Sequence, residues 1–391
     1  MQGRLHTLEH DTARGTVPHP VESTRRNPRP ESPRVPPVTN RTSRAGKLLV
    51  TIAVLALAAC SSSQADPSST TSVGTRAVVV VSGFAAESPF TTPTQGCGKG
   101  LAAGVSSTAL RDSLIAAGFQ AYTAPAQVGP GQIKEYSGFG PFSQCPPALP
   151  ESVTVNALKP IDDGGQRLSA FINYLHSDYG VGSVDIVAHS MGGLFSRSAI
   201  KALRDGNSPV AVNSLTTIGT PWEGSFAADV AAGELPKSVC GKQTSCIEVV
   251  DQVEQLAAQG KGSPTGLSRT FLDGADGKSG WNAAQAGALD GIPVTLFAGN
   301  LLNLPNGNPR AWPNDGLVQL SSALAPGVSD AVLPHRSCQV RPDVHSAFFT
   351  NELKLPRDQA LTWDPVVLSA VNQAVATSTK ALAEPNRTGC P

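Results

Sequence analysis

The chain has 391 residues, and its 30 Lys/Arg are balanced by 30 Asp/Glu. The balance is uneven: residues 1–59 hold nine basic against four acidic side chains, leaving 21 against 26 from Cys60 onward. A mildly acidic body without a basic surplus excludes the electrostatic footprint that nucleic-acid partners require, and roughly 330 residues suffice for one large domain, with or without an insertion.

Residues 1–40 are Pro- and Arg-rich without apolar periodicity, and read as a disordered or untranslated extension. A start near Val38 would leave an export signal of ordinary length. Residues 41–59 have the three regions of a signal peptide: Arg41, Arg44 and Lys47, then an apolar run from Leu48 to Leu57, then Ala58-Ala59. That run is about ten residues, half of the roughly 20 a bilayer span needs. Leu57-Ala58-Ala59-Cys60 resembles the bacterial lipoprotein box, which implies acylation of Cys60 and a membrane anchor on the outer face of the cell membrane; ordinary signal cleavage nearby, with an incidental Cys60, would instead secrete the chain. The Ser/Thr-rich stretch over 60–75 then serves as a flexible tether with a mean reach of roughly 20 Å.

From Ala77 short apolar runs alternate with helical patterns, the pattern of an α/β chain with a mostly parallel sheet flanked by helices. Predicted strands are 77–81, 119–123, 184–188, 212–218 and 292–298. Ser107 to Gly118 predicts a helix, and Leu168, Phe171, Ile172 and Leu175 recur at i, i+3, i+4, i+7 in another that stops near Gly180. Further helices are expected over 191–203 and 364–376. A Gly/Pro-rich excursion over 124–160 carries Tyr136, Phe139, Phe142 and Cys145, and is long enough to be functional or pinned. Residues 222–290, with a helical pattern at Val249, Val250, Val253 and Leu256, are expected to be an inserted cap or lid.

Six cysteines follow Cys60, an even number that suggests disulfides in an exported chain. They fall in three neighbourhoods read as loops or termini, and sequential pairing predicts Cys97–Cys145, Cys240–Cys246 and Cys338–Cys390 out of fifteen connectivities. No Cys/His cluster has zinc spacing, so no metal is expected.

The chemistry is concentrated in Val184-Asp185-Ile186-Val187-Ala188-His189-Ser190-Met191-Gly192-Gly193, a buried strand entering a Gly-rich turn and then a helix. This is the context of a nucleophile elbow, where small residues on either side of Ser190 permit a sharp, strained turn. The Met191 N–H, at the helix start, would face a developing oxyanion. Over 76–376 the sequence resembles the α/β-hydrolase family, and within it bacterial lipases, which carry the same Ala-His-Ser-Met-Gly-Gly run. The resemblance implies an α/β-hydrolase fold and places a second oxyanion donor on the Phe84 N–H, in Val81-Ser82-Gly83-Phe84, where Ser82 replaces the family's His. Gly219-Thr220-Pro221-Trp222-Glu223-Gly224-Ser225 resembles another lipase segment, with Trp222 in place of His.

In this fold the triad runs Ser, acid, His along the chain. Asn314-Asp315-Gly316-Leu317-Val318 resembles the run in which bacterial lipases carry the acid, and Asp315 is assigned to it. Four histidines follow the signal. His176 precedes the serine on a helix flank, and His189 adjoins Ser190 with its side chain expected to point elsewhere, leaving His335 and His345 as bases. Spacing from Asp315 favours His335; local context favours His345, because His335 sits between Pro334 and Cys338 beside cationic Arg336.

Together these readings predict cofactor-free hydrolysis of a hydrophobic ester or lipid by Ser190, Asp315 and His345. Envelope acyl transfer or thioester cleavage would use the same residues, and an inactive, surface-exposed lipoprotein is the non-enzymatic alternative. Sequence does not fix the oligomeric state.

Overall fold

A computed structural model describes residues 74–129, 133–134, 140–259, 264–378 and 386–391. The proposed signal, Cys60, nearly all of the tether, Tyr136 and Phe139 lie outside the described residues. Among the described residues no helix is long and apolar enough to cross a membrane.

The backbone is built on β1 (Thr75–Val81), α1 (Thr108–Ala116), β2 (Ala121–Thr123), the short pair β3 (Ala126–Gln127) and β4 (Val155–Asn156), α2 (Ile161–Tyr179) and β5 (Val181–His189). It continues through α3 (Gly192–Asp205), β6 (Ala211–Ile218), α4 (Phe226–Ala231), α5 (Thr244–Ala258), α6 (Arg269–Asp273) and β7 (Val294–Gly299). The last elements are α7 (Leu320–Leu324), β8 (His335–Arg341), α8 (Ala347–Glu352), α9 (Pro365–Thr377) and β9 (Asn386–Thr388). Seven strands form one sheet in the order β2-β1-β5-β6-β7-β8-β9, every neighbouring pair parallel. Helices cover both faces, as in the α/β-hydrolase architecture. The valine run of β1 follows from this burial: Val79 and Val81 enter the core beneath α2 and α3, while Val78 and Val80 enter the one beneath α1 and α9.

The strand order reverses between β1 and β5. After β1 the chain moves outward to β2 and then crosses back to β5, so the loops leaving the carboxyl ends of β1 and β5 diverge. A crevice opens at such a switch point in parallel sheets. Asp185, fully buried in β5, ties distant segments together by accepting from Arg76 Nε, Ser214 Oγ and Ser378 Oγ at 2.7, 2.6 and 2.6 Å.

One sequence expectation changes. His335–Arg341 is a strand, and Cys338 therefore lies on β8 and not in a loop or terminus. It is joined to Cys390 just after β9, and the other disulfides are Cys97–Cys145 and Cys240–Cys246. The side chains of the 222–290 segment divide between two apolar clusters. Trp222, Ala228, Leu267, Leu272, Trp281 and Leu289 pack into the main core, whereas Phe226, Ala227 and Val230 of α4 join α5 in a separate apolar cluster with Trp312, Val344 and Phe349.

Candidate active site

Ser190 opens the turn between β5 and α3 with φ +58°, a left-handed conformation that costs a non-glycine residue energy and persists only where surroundings impose it. Those surroundings are visible. The Ser190 N–H donates to the Ile218 carbonyl at 2.8 Å, and Thr220 Oγ1 donates to the Ser190 carbonyl at 2.8 Å. Thr220, in the Gly-Thr-Pro-Trp segment, is thereby a brace for the elbow. Gly83 fits against the turn because a Cβ there would lie 2.6 Å from Ser190 Cβ. Trp222 is buried, its Nε1 donating to Thr217 Oγ1 at 3.2 Å. Buried Arg197 stacks between Trp222 and Trp281, its carbon Cζ 4.6 and 4.5 Å from the ring centroids.

Neither the Phe84 nor the Met191 N–H donates to a protein acceptor among the described residues. Both belong to the loops that flank Ser190, at the ends of β1 and β5. Ser82 is buried with its Oγ unpartnered.

Asp315 is fully buried. Its Oδ1 accepts from the Leu317 and Val318 N–H groups at 3.0 and 2.8 Å, an Asx turn that aims Oδ2 at His345 Nδ1, 2.7 Å away. The His345 N–H also donates to the Asp315 carbonyl at 2.7 Å. Gly219, at φ +61°, makes room: a Cβ there would lie 3.0 Å from His345 Nδ1 and 3.1 Å from Asp315 Oδ2. With Nδ1 committed to the carboxylate, the His345 Nε2 is left without a partner. No hydrogen bond joins Ser190 Oγ to it in this structure; such contacts often tighten only with substrate bound. His335 lies elsewhere, buried at the start of β8 beside Ser214 and Pro293.

His189 departs from expectation. Its side chain does not point away: Nε2–H donates to the His345 carbonyl at 2.8 Å, and the two rings lie 4.6 Å apart. Burial, reinforced by repulsion from His345, lowers its pKa to about 3, so the ring is neutral. Adjacency to Ser190 was the only sequence signal for this role, since its partner lies 156 residues away.

Ser190, His189 and His345 open onto a cleft of about 340 Å³ walled by Phe84, Val105, Phe348, Phe349 and the α5 residues Val249 and Val253. Among the described residues no group of three or more His, Cys, Asp or Glu side chains could hold a metal ion.

No family model matches the chain. Over 90 residues it is 34% identical to triacylglycerol lipases from Pseudarthrobacter phenanthrenivorans and Burkholderia plantarii, a stretch that makes up 22% of this chain and 27% and 24% of those proteins. The match therefore spans well under two thirds of either relative. Among solved structures, the lipase BlEst2 of Bacillus licheniformis in its propeptide form is similar with 17% identity and a TM-score of 0.42, over 80% of this chain and 52% of that one. An esterase from Pyrococcus furiosus gives 9% identity and 0.38, over 77% and 82% of the two chains. Naproxen esterase from Bacillus subtilis gives 12% and 0.37, also over 77% and 82%.

Proposed function

We propose that this protein is a serine hydrolase of hydrophobic carboxylic esters. The observation that carries the reading is the 2.7 Å contact of His345 Nδ1 with buried Asp315, which leaves Nε2 unpartnered at the cleft that strained Ser190 also lines. In this reading Ser190 Oγ attacks the ester carbonyl carbon while His345 Nε2 takes its proton. The negative charge moving onto the carbonyl oxygen is met by the Phe84 and Met191 N–H groups. Collapse breaks the bond to the alcohol oxygen, which leaves with the proton from His345. Water, deprotonated by the same imidazole, then hydrolyses the acyl-enzyme. Asp315 holds the productive tautomer throughout and stabilises the imidazolium.

Export and anchoring through Cys60 belong to the same reading and place the enzyme on a membrane. The three disulfides support it, because such bonds persist in oxidising compartments. A fluorophosphonate probe tests the chemistry. It is expected to label wild-type protein at Ser190 and to leave Ser190→Ala unlabelled and inactive on p-nitrophenyl acetate. Labelling or turnover that survives the substitution would place the nucleophile elsewhere.

A further inference from the structure

Two cavities meet at Ser190. The larger is the cleft of about 340 Å³ already described, and it is lined by His345. The smaller, of about 20 Å³, is bounded by Phe84, Pro221, Ala228, Leu267 and Leu317 and does not reach His345. On the hydrolase reading, the tetrahedral carbon bonded to Ser190 Oγ carries three other groups. One oxygen faces the Phe84 and Met191 amides. The leaving oxygen must lie within reach of His345 Nε2, which returns the proton to it, so the alcohol arm extends into the cleft that His345 lines. The acyl arm takes the remaining direction, away from His345.

We propose that the small cavity is the acyl subsite, and that it makes this protein an esterase for short acyl groups, acetyl or propanoyl, on bulky apolar alcohols. A cavity needs about 10–15 Å³ on the same measure to hold one water molecule, so this one takes roughly one or two heavy atoms beyond the carbonyl carbon. On the side of Ala228 and Leu267 the wall is part of the main core, and a longer chain growing that way must displace packed atoms. The polar wall group, Ser225 Oγ, already donates to the Leu317 carbonyl at 2.7 Å, which favours a plain alkyl group over a hydroxylated one. The larger cleft, walled by Val105, Phe348 and Phe349, has room for the bulky arm.

Hexyl acetate and ethyl hexanoate separate the two arms, because they are isomers with primary-alcohol leaving groups and exchanged acyl and alcohol lengths. With the full chain in a pH-stat, kcat/KM is expected to be at least about tenfold higher for hexyl acetate, since one methylene too many in a fitted pocket costs about 10–200-fold. Leu267→Ala, which widens the small cavity, should shrink that ratio several-fold; if this variant fails to fold, the wild-type ratio alone decides. Equal or faster turnover of ethyl hexanoate overturns the subsite, as does a chain labelled by fluorophosphonate at Ser190 but inert to both esters. A chain neither labelled nor active on either ester overturns the hydrolase reading and this inference with it.

Discussion

Replacing His189 by alanine removes the donor that fixes the main chain of the proposed base. The His345 carbonyl, which accepts from His189 Nε2 at 2.8 Å in a buried site, would be left unsatisfied at a cost of about 1–3 kcal/mol. One main-chain tether remains, the His345 N–H on the Asp315 carbonyl at 2.7 Å, so the imidazole is loosened and not released. Because misplacing a reacting group by about 1 Å costs about 10²-fold, kcat on p-nitrophenyl acetate is expected to fall about ten- to hundredfold. His189→Gln keeps a donor near the same place and should restore most of the rate, an outcome that lost packing alone would not produce. Stability carries a second signature. With the folded pKa at about 3 against the ordinary 6.5, the unfolded chain binds the proton first. Stability therefore falls as pH drops below about 6.5, by up to about 1.4 kcal/mol per unit, and His189→Gln removes that part of the slope in acid melting curves. An alanine variant whose kcat at neutral pH stays within about twofold of wild type would refute the positioning role.

Asp315→Asn should leave the fold intact and lower kcat about 10³–10⁴-fold by breaking the Nδ1 contact, and a loss under tenfold would remove Asp315 from the triad. Asp343, buried and facing Asp364, with Arg341 opposing, has its pKa raised to about 7. A raised carboxyl stabilises the fold fully below its unfolded pKa and loses that contribution as pH rises through about 7, so Asp343→Asn should raise Tm more at about pH 8.5 than at about pH 5; equal gains at both would refute this. Arg197→Lys, which replaces a guanidinium stacked between Trp222 and Trp281 and bonded to Asn282 Oδ1, should cost about 2 kcal/mol or more, read as a lower urea midpoint at unchanged m.

The features legible in the sequence are those that local sterics and periodicity dictate. A strand buried on both faces is predominantly apolar, so β1 and the Val184–Ala188 stretch of β5 announce themselves; a sharp strand-to-helix turn requires small residues beside Ser190; and α2 buries Leu168, Phe171, Ile172 and Leu175 as their spacing demands. β8 was hidden because it begins after Pro334 and reads His-Arg-Ser-Cys-Gln-Val-Arg, with polar positions tolerated near the sheet edge; its identity comes from pairing with β7. That pairing also sets how far His335 lies from Asp315. Arg341 sits opposite Gly299 at the carboxyl end of the sheet, close to Asp315, and His335 lies six residues back along the strand, about 20 Å away at roughly 3.3 Å per residue. Counting residues from Asp315 pointed to His335, because separation along a chain carries no information about which end of a strand a residue occupies. The contact of His189 with His345 and the separation of the two cavities at Ser190 likewise arise only when the loops after β1 and β5, helix α5 and the segment after β8 converge on one edge of the sheet.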